Sequence, residues 1–268
     1  MRATWLTDLH LNFLRPLALK AFYKTVAAER PDVLLVTGDT AEAFSLRELL
    51  AELARIAKAP AYFVMGNHDY YRSTIREVRA EVATAIPDAT WLPAHGPVQL
   101  TPRCTLVGVD GWGDARCGDL ASTVQLSDWK LIGELERGLY DRPARLALLR
   151  ELGAAEATAL EAQLATPAAT ATPELLVLTH VPPFPEACIY SGRMSDPPWL
   201  PWFTCVATGE VLRAHARAHP QQTITVLCGH SHGVGTFVAE PNLTVRTGGW
   251  PAGVEGYGNP IVQMTIDL

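Results

Sequence analysis

Short apolar runs rich in β-branched residues alternate along this chain with longer stretches of helical period. This alternation is typical of strands and helices packed in layers, so it predicts an α/β fold. The predicted strands cover residues 4–7, 33–37, 62–65, 105–109, 175–179, 223–228, 235–239, 243–247 and 261–266. The predicted helices cover residues 17–30, 45–58, 72–85 and 142–164. We expect the last third of the chain to form a second, largely antiparallel sheet.

Three segments lack a clear period and are predicted to be connections. Residues 111–140 would form one long connection, and residues 165–173 a loop too short to link two domains. Residues 182–203 hold six prolines and several aromatic residues, which predicts a rigid loop that is neither helix nor central strand. Such a loop either walls a substrate cleft or covers an edge of the core.

Length, net charge, apolar runs and cysteines limit the classes of protein to which the chain can belong. The 268 residues are fewer than a second domain usually requires, so we expect one domain over residues 1–268. The net charge of −6 provides no general attraction for nucleic acid, which makes it an improbable partner. No apolar run approaches the length of a membrane span and no signal peptide is evident. Five scattered cysteines without a C-x-x-C pair favour reduced thiols, and we expect a cytoplasmic protein.

Polar clusters follow directly after five of the predicted strands. Because the carboxyl ends of strands in an open α/β sheet meet at one edge, groups distant in sequence can share a site there. Taken singly, each cluster also fits a turn or a structural histidine. Together, in this order, their carboxylates, imidazoles and amide oxygen favour a shared metal site. The clusters are Asp8-Leu9-His10, Gly38-Asp39-Thr40, Gly66-Asn67-His68-Asp69, Thr179-His180-Val181 and Gly229-His230-Ser231-His232.

The ordered set resembles the pattern D-x-H, G-D, G-N-H-[DE], H and G-H-x-H of the calcineurin-like metallophosphoesterase superfamily. The match extends from Asp8 to His232. The resemblance implies a four-layer αββα sandwich of two mixed β-sheets, with a dinuclear metal site at the carboxyl ends of the strands. It also implies a metal-dependent phosphoric ester hydrolase in which a metal-bound hydroxide attacks phosphorus.

The resemblance further implies a role for each motif residue. Two divalent or trivalent ions are implied, and the mixed oxygen and nitrogen donors suit Mn, Fe, Zn, Co or Ni. His68 would be the catalytic residue, protonating the leaving oxygen, with Asp69 orienting it; the alternative is that His68 only supports Asn67. Asp8, His10 and His232 would bind one ion, Asn67, His180 and His230 the other, and Asp39 would bridge them.

The motifs of this chain differ from those of the family's protein phosphatases, and the differences help to predict the class of substrate. Those enzymes carry G-D-x-x-D-R-G and an arginine before G-N-H-E, whereas residues 38–44 here contain no arginine and Met65 precedes Gly66. The chain therefore looks more like compact bacterial phosphodiesterases, with a small phosphate ester as substrate and a diester or nucleotide favoured over a monoester. Tyr70, Tyr71, Trp112 and residues 199–203 are candidates for stacking a nucleobase.

Two alternatives to this function stay open. The first is a DNA or RNA nuclease of the same superfamily, against which the acidic balance argues. The second is a metal-stabilised scaffold that binds a protein partner without turnover.

Overall fold

Two β-sheets pack face to face with helices on their outer sides in the computed structural model, which describes residues 1–136, 138, 140–251 and 259–268. The first sheet has the order β13-β1-β2-β3-β4 and the second has the order β11-β12-β10-β7-β6-β5. The strands are β1 (Arg2–Leu6), β2 (Val33–Thr37), β3 (Ala61–Val64), β4 (Ala89–Trp91), β5 (Val98–Thr101), β6 (Cys104–Gly108), β7 (Glu174–Leu178), β8 (Ile189–Tyr190), β9 (Arg193–Met194), β10 (Thr223–Cys228), β11 (Gly235–Glu240), β12 (Leu243–Thr247) and β13 (Val262–Asp267). The short strands β8 and β9 form a separate hairpin.

The helices make the outer layers and most of the connections. They are α1 (Pro16–Ala28), α2 (Ala43–Ala57), α3 (Ile75–Val82), α4 (Leu92–His95), α5 (Asp128–Leu131), α6 (Gly133–Glu136), α7 (Arg142–Leu164), α8 (Pro167–Thr170), α9 (Leu200–Phe203) and α10 (Val206–Ala218). Single 3₁₀ turns lie at Leu11–Phe13, His68–Tyr70 and Pro185–Ala187. Within the described part of the chain, no helix is both long and apolar enough to span a bilayer.

Alternating side chains of the central strands fill different layers. In β2, Val33 and Leu35 face the core between the sheets, while Leu34 and Val36 join the core under the helices. In β7, Leu176 and Leu178 face the inter-sheet core, while Leu175 and Val177 pack beneath helices of the other outer layer. Because successive side chains of a strand point to opposite faces, a run of apolar residues buries both faces of a central strand. The αββα sandwich of two mixed sheets is thus confirmed.

Parallel pairing brings the functional loops to one edge of each sheet. Strands β1, β2, β3 and β4 are mutually parallel, as are β6, β7, β10 and β12. The edge strands β13, β11 and β5 run antiparallel to their neighbours. All five polar clusters therefore lie beyond the carboxyl ends of parallel strands, where open α/β sheets hold their ligands.

The expectation of a largely antiparallel second sheet is wrong. Strand β10 lies between two parallel neighbours, and the predicted strand at 261–266 pairs with β1 in the first sheet. The crossover that makes β7 and β10 parallel is α10, which the sequence pattern did not predict. Thr208 and Gly209 lower the helix propensity of its first turns. Gly209 is needed there because a Cβ would lie 2.1 Å from the carbonyl oxygen of Pro183.

The predicted connections contain short elements. The segment 111–140 carries α5 and α6, although residues 137 and 139 lie outside the described residues. The loop at 165–173 contains α8. The segment 182–203, predicted to be without helix, contains a 3₁₀ turn, the β8–β9 hairpin and α9. Prolines at the first turns of α8, α9 and the 3₁₀ turn explain these pieces, because proline is tolerated where its missing N–H would have no partner.

Candidate metal centre

The five clusters meet where the two sheets approach each other. The backbone N–H of His230, from the second sheet, donates to both carboxylate oxygens of Asp8, from the first, at 3.1 and 3.2 Å. The Nδ1 of His180 donates to the carbonyl oxygen of Thr37 at 2.8 Å. Within the first sheet, the N–H of His10 donates to the carbonyl oxygen of Asp39 at 2.9 Å. These bonds fix the loops of the two sheets relative to one another.

The backbone at most of the predicted ligands is left-handed. A positive φ is uncommon outside glycine and costs on the order of 1 kcal/mol or more, so it persists only where the surroundings enforce it. Such residues concentrate at functional sites. The φ values are 51° at Asp8, 45° at His10, 52° at Asp39, 66° at His230 and 62° at His232.

The structure brings all seven predicted ligands together in two groups that share Asp39. One donor atom from each member of a group lies within 4.8 Å of the others. The Oδ1 of Asn67 joins the second group, 3.2 Å from the Nε2 of His180. The first group is Asp8, His10, Asp39 and His232, and the second is Asp39, His180 and His230. The assignment of individual ligands to individual ions stays a prediction.

Asp39 has the surroundings that a bridging carboxylate needs. Its Oδ1 accepts a hydrogen bond from the N–H of His68 at 2.9 Å. Its buried Oδ2 has no hydrogen-bond partner among the described residues, and the imidazole nitrogens of His10 and His68 lie 3.8 and 4.0 Å from it. A buried anionic oxygen without a partner is costly, and a metal ion would provide that partner. The donor set therefore fits metal ions.

Hydrogen bonds aim two imidazoles at the space between the groups. With its Nδ1 bonded to Thr37, His180 directs Nε2 inward, and His230 directs Nδ1 inward because its Nε2 donates to the carbonyl oxygen of Trp202 at 3.3 Å. The two inward nitrogens lie 3.2 Å apart. Partners of this kind fix the tautomer and orientation of metal-binding histidines.

The electrostatics of the centre favour a cation. Burial lowers the pKa of His10 and of His230 to about 3, so both imidazoles are neutral, the form that binds metals. Burial also opposes a charge on His180, but Asp39 outweighs it and raises the pKa of His180 to about 10. Although burial has the opposite effect, the neighbouring His180 and His68 hold the pKa of Asp39 well below its usual range. The buried anion thus retains a positive partner, which is a proton in metal-free protein.

Two motif positions require glycine because donor atoms of the site lie close to the backbone there. A Cβ on Gly66 would lie 2.2 Å from the Oδ1 of Asp39 and 2.6 Å from the Nε2 of His180. A Cβ on Gly229 would lie 2.2 Å from the Oδ2 of Asp8. Any side chain at these positions would displace the donor atoms, which explains why glycine precedes Asn67 and His230 in the motifs.

His68 lies at the edge of the centre. Its side chain is 12% exposed and its Nε2 faces the Oδ2 of Asp39 at 4.0 Å. Its ring packs on that of Tyr71, with centroids 4.1 Å apart, and against that of His10. His68 lines a cavity of about 230 Å³ next to Asp39, so its imidazole has access to a bound substrate. This position fits a proton donor, and the role itself stays a prediction.

Comparison with known proteins agrees with this geometry. The family model for calcineurin-like phosphoesterases matches residues 1–234. The chain belongs to the calcineurin-like phosphoesterases. These are metal-dependent hydrolases of phosphate esters, and the predicted resemblance is confirmed. A search of the curated proteins found no match.

Solved structures share the fold of this calcineurin-like phosphoesterase. Phosphopantetheinyl hydrolase (PptH) from Mycobacterium tuberculosis is 19% identical with a TM-score of 0.63, and the alignment covers 93% of this chain and 89% of that one. A dimetal phosphatase from Danio rerio is 14% identical with a TM-score of 0.51, covering 93% of this chain and 87% of that one. At these identities the likeness establishes the fold.

Asp69 does not have the contacts expected of it in this phosphoesterase. Its two carboxylate oxygens accept hydrogen bonds from the backbone N–H groups of Ala41, at 3.0 Å, and Gly66, at 2.8 Å. The carboxylate therefore ties the second and third motif loops together, and the prediction that it orients His68 is wrong. Burial, reinforced by the charge of Asp39, raises the pKa of Asp69 to about 8.

Asp128 is a site residue that sequence reasoning missed. It lies on α5, in the aperiodic segment 111–140, and its Oδ1 accepts hydrogen bonds from the Nδ2 of Asn67 at 2.9 Å and from the hydroxyl of Tyr71 at 2.5 Å. The first bond holds the amide oxygen of Asn67 toward His180. The second holds the ring that packs on His68. No motif marks this aspartate, because its importance comes from where the connection folds.

A second missed aspartate, Asp110, lies two residues beyond the end of β6. Its Oδ1 accepts from the N–H of Met65 at 2.8 Å and its Oδ2 from the hydroxyl of Tyr70 at 2.7 Å, so it supports both ends of the Gly66–Asp69 loop. Arg79 binds the same oxygen at 3.1 Å. The position after a predicted strand was a signal that this residue could have been included.

Most of the aromatic residues proposed to stack a nucleobase are buried. Tyr70, Trp112 and Trp202 are exposed by 0%, 3% and 3%, so their faces are not accessible to a ligand and the prediction is wrong for them. Trp199 is 43% exposed, and it lines the cavity beside Asp39 together with Phe203. The segment 182–203 thus forms part of the wall of this cavity, and its role at a substrate cleft stays a prediction.

Proposed function

We propose that this calcineurin-like phosphoesterase is a phosphodiesterase that hydrolyses a small diester or nucleotide, with two divalent ions and with manganese as the first choice of metal. The observation that carries the proposal is the pair of donor groups sharing the carboxylate of Asp39. Two ions held on one bridging carboxylate are typical of sites for in-line displacement at phosphorus. When bound, such ions lower the pKa of a water molecule and stabilise charge on the phosphoryl oxygens.

Residues of the chain itself would hold the ions and supply the proton. Asp8, His10, Asp39 and His232 would hold one ion, and Asp39, Asn67, His180 and His230 the other. A phosphate placed against these groups lies beside the imidazole of His68, whose protonated Nε2 would donate to the departing ester oxygen. Asp128 and Tyr71 keep Asn67 and His68 in place during this transfer.

The charge of the cavity supports a diester over a monoester. A monoester is a dianion near neutral pH and a diester a monoanion, so a monoester needs more positive charge around its phosphate. Among the described residues that line the cavity beside the donor groups there is no lysine or arginine. They are Asp39, Asn67, His68, Tyr71, Gln125, Leu126, Ser127, Asp128, Trp199, Phe203, His230 and His232.

The test compares a diester with a monoester of the same leaving group. Chelator-treated protein is restored with Mn²⁺, and initial rates are measured on bis-p-nitrophenyl phosphate and p-nitrophenyl phosphate. We expect Mn²⁺-dependent turnover with a higher kcat/KM for the diester. Asp39→Asn, purified in the same way, controls for contaminating activity and should be inactive.

Other outcomes point to other functions. Preference for the monoester refutes the diester proposal. Turnover of DNA accompanied by steep, salt-dependent binding favours the nuclease. Metal binding without turnover of any ester, with Fe, Zn, Co and Ni also tried, favours the scaffold. A diester of 4′-phosphopantetheine belongs in the panel because PptH, which shares the fold, is named as a phosphopantetheinyl hydrolase.

We further propose a cytoplasmic location. All five cysteines are unpaired, which is typical of proteins in a reducing compartment. Fractionation of the source cells with an antibody against the chain tests this, and recovery with secreted or periplasmic proteins would refute it.

A further inference from the structure

A second cavity, of about 310 Å³, shares Trp199 and Phe203 with the cavity beside His68. We call it the aromatic cavity; its large side chains are Tyr190, Met194, Trp199 and Phe203. We propose that it binds the flat, uncharged ring of one ester group of the substrate, with a nucleobase as its chemical class. This inference rests on the proposed function, because it places the phosphate at the candidate metal centre.

The aromatic cavity is connected to the metal centre through its walls. His232, a predicted ligand, lines both cavities, as do Trp199 and Phe203. The ring of Phe203 stacks on that of His230, with centroids 4.3 Å apart and planes 28° apart. A phosphate held beside His230 and His232 would therefore have one of its ester groups directed along these rings into the aromatic cavity.

The β8–β9 hairpin builds the outer wall in a fixed position. Ser191 and Gly192 form its two-residue turn with φ values of 48° and 78°, the combination of a type I′ turn that matches the twist of the strands. The hairpin rests on Gly233, where a Cβ would lie 2.4 Å from the carbonyl oxygen of Ile189. Because Gly233 immediately follows His232, the same loop positions the hairpin and the metal centre.

The exposed surface in this cavity is large and apolar. Tyr190 is 48% exposed, Met194 46% and Trp199 43%. Large apolar side chains gathered at one exposed place usually mark a binding site. Aromatic faces and a methionine sulfur favour contact with a flat ring, and the volume is at the lower end of the range for small-molecule pockets, about 300–1,000 Å³.

The charged side chains that line the aromatic cavity are paired with each other, which favours an uncharged ester group of the substrate. Arg193 donates to both carboxylate oxygens of Asp196, at 2.6 and 3.2 Å, so the two charges neutralise each other. Lining residues of the cavity from the described chain include no further lysine or arginine. Among the described lining residues, a second phosphate or a carboxylate on the substrate would meet only the cation of Arg193, which is already paired with Asp196, whereas an uncharged base needs no cation.

The test uses two diesters with one leaving group. Thymidine 5′-(p-nitrophenyl phosphate) and methyl p-nitrophenyl phosphate differ only in the ester group that stays on phosphorus. We expect the Mn²⁺ enzyme to favour the thymidine ester in kcat/KM by about tenfold, within the range measured for stacking one base on one aromatic side chain. Trp199→Ala should reduce this preference to about twofold or less, and Trp199→Phe should keep part of it.

Two further variants make the result specific. Tyr140 is 97% exposed and lines neither cavity, so Tyr140→Ala should keep the preference of the wild type. Met194→Ala, on the hairpin, should lower the preference if Trp199→Ala does not fold. Equal kcat/KM values for the two esters in the wild type, or a preference that survives both Trp199→Ala and Met194→Ala, would overturn the proposal. So would a preference for an n-butyl ester over the thymidine ester.

If the proposed function is wrong, the experiment with the two esters gives a result that differs from failure of the aromatic cavity. If neither ester is hydrolysed, the diesterase proposal fails, and the aromatic cavity is then tested by calorimetry on the Mn²⁺-loaded protein. Phenyl methylphosphonate should bind more tightly than methyl methylphosphonate, and Trp199→Ala should remove the difference. Equal affinities would overturn the aromatic cavity as a binding site.

Discussion

Removing the carboxylate of Asp128 tests how the candidate metal centre holds its amide ligand. In Asp128→Ala, the Nδ2 of Asn67 and the hydroxyl of Tyr71 both lose the oxygen that accepts their hydrogen bonds. Both residues are buried, with 8% and 4% of their surface exposed. The amide of Asn67 is then free to rotate and to present its NH₂ in place of its oxygen to an ion beside His180.

The expected size of the effect follows from these contacts. Loss of a group that orients a metal ligand typically lowers metal affinity about 10–100-fold, which corresponds to about 1.4–2.7 kcal/mol. A buried donor that loses its acceptor costs at most about 1–3 kcal/mol. The Nδ2 of Asn67 keeps the hydroxyl oxygen of Tyr71 as a second acceptor at 3.5 Å, which limits the lost stability. Burial raises the pKa of Asp128, so deleting this carboxylate also removes an unfavourable buried charge. We expect the free energy of unfolding to fall by about 1–2 kcal/mol.

The assay is calorimetric titration of metal-free protein with Mn²⁺. Asp128→Asn keeps an acceptor oxygen in the same place and should bind within about tenfold of the wild type. Tyr71→Phe removes only one hydroxyl and should give an intermediate loss. Asp119→Ala, an exposed aspartate of the same connection, serves as the control. Wild-type affinity in Asp128→Ala, or equal losses in Asp128→Ala and Asp128→Asn, would refute the reasoning.

Three further outcomes are expected. Asp39→Asn should abolish turnover and lower bound metal, measured by elemental analysis, while circular dichroism shows a retained fold; normal turnover with full metal would refute the bridging role. His68→Ala should keep its metal but lose about a hundredfold or more in kcat, the usual effect of removing an acid or base; loss of metal would favour the alternative that it supports Asn67. Burial and the nearby Asp110 raise the pKa of Glu156 from 4.5 to about 7, so the folded protein binds this proton more tightly than the unfolded chain does. Stability should therefore fall as pH rises through that window. Glu156→Gln should remove this fall, and urea unfolding of metal-free protein at pH 5 and pH 8 measures the difference between variant and wild type.

Sequence patterns predicted best the elements that are fully buried or long. Strand β2 (Val33–Thr37) and helix α7 (Arg142–Leu164) have the predicted bounds, because β-branched runs and helical spacing are strongest where burial is complete or the helix is long. Strands β4 (Ala89–Trp91) and β5 (Val98–Thr101) were missed. Both are short strands at sheet edges and most of their residues are half-buried or exposed, so their pattern is weak.

The candidate site likewise contains residues that the sequence predicted and residues that it missed. Residues such as Asp39 and His230 lie two residues beyond the ends of strands, so chain order alone places them at one edge and the motifs identify them. Asp128 reaches the site from a connection without periodicity, and only the folded structure brings it to Asn67. Contacts of this second kind depend on tertiary packing, which no local pattern encodes.

The backbone at the strand ends explains why motif and geometry agree so closely. A strand that continued beyond Asp8 or Asp39 would alternate its side chains between the two faces of the sheet. A left-handed residue at each of these positions instead turns the chain, and bonds such as that from the N–H of His10 to the carbonyl oxygen of Asp39 hold it there. Because glycine at 66 and 229 leaves room for the carboxylates, the donor atoms of the two groups converge. Contacts within the fold thus hold the loops that carry the donors in this strained backbone conformation.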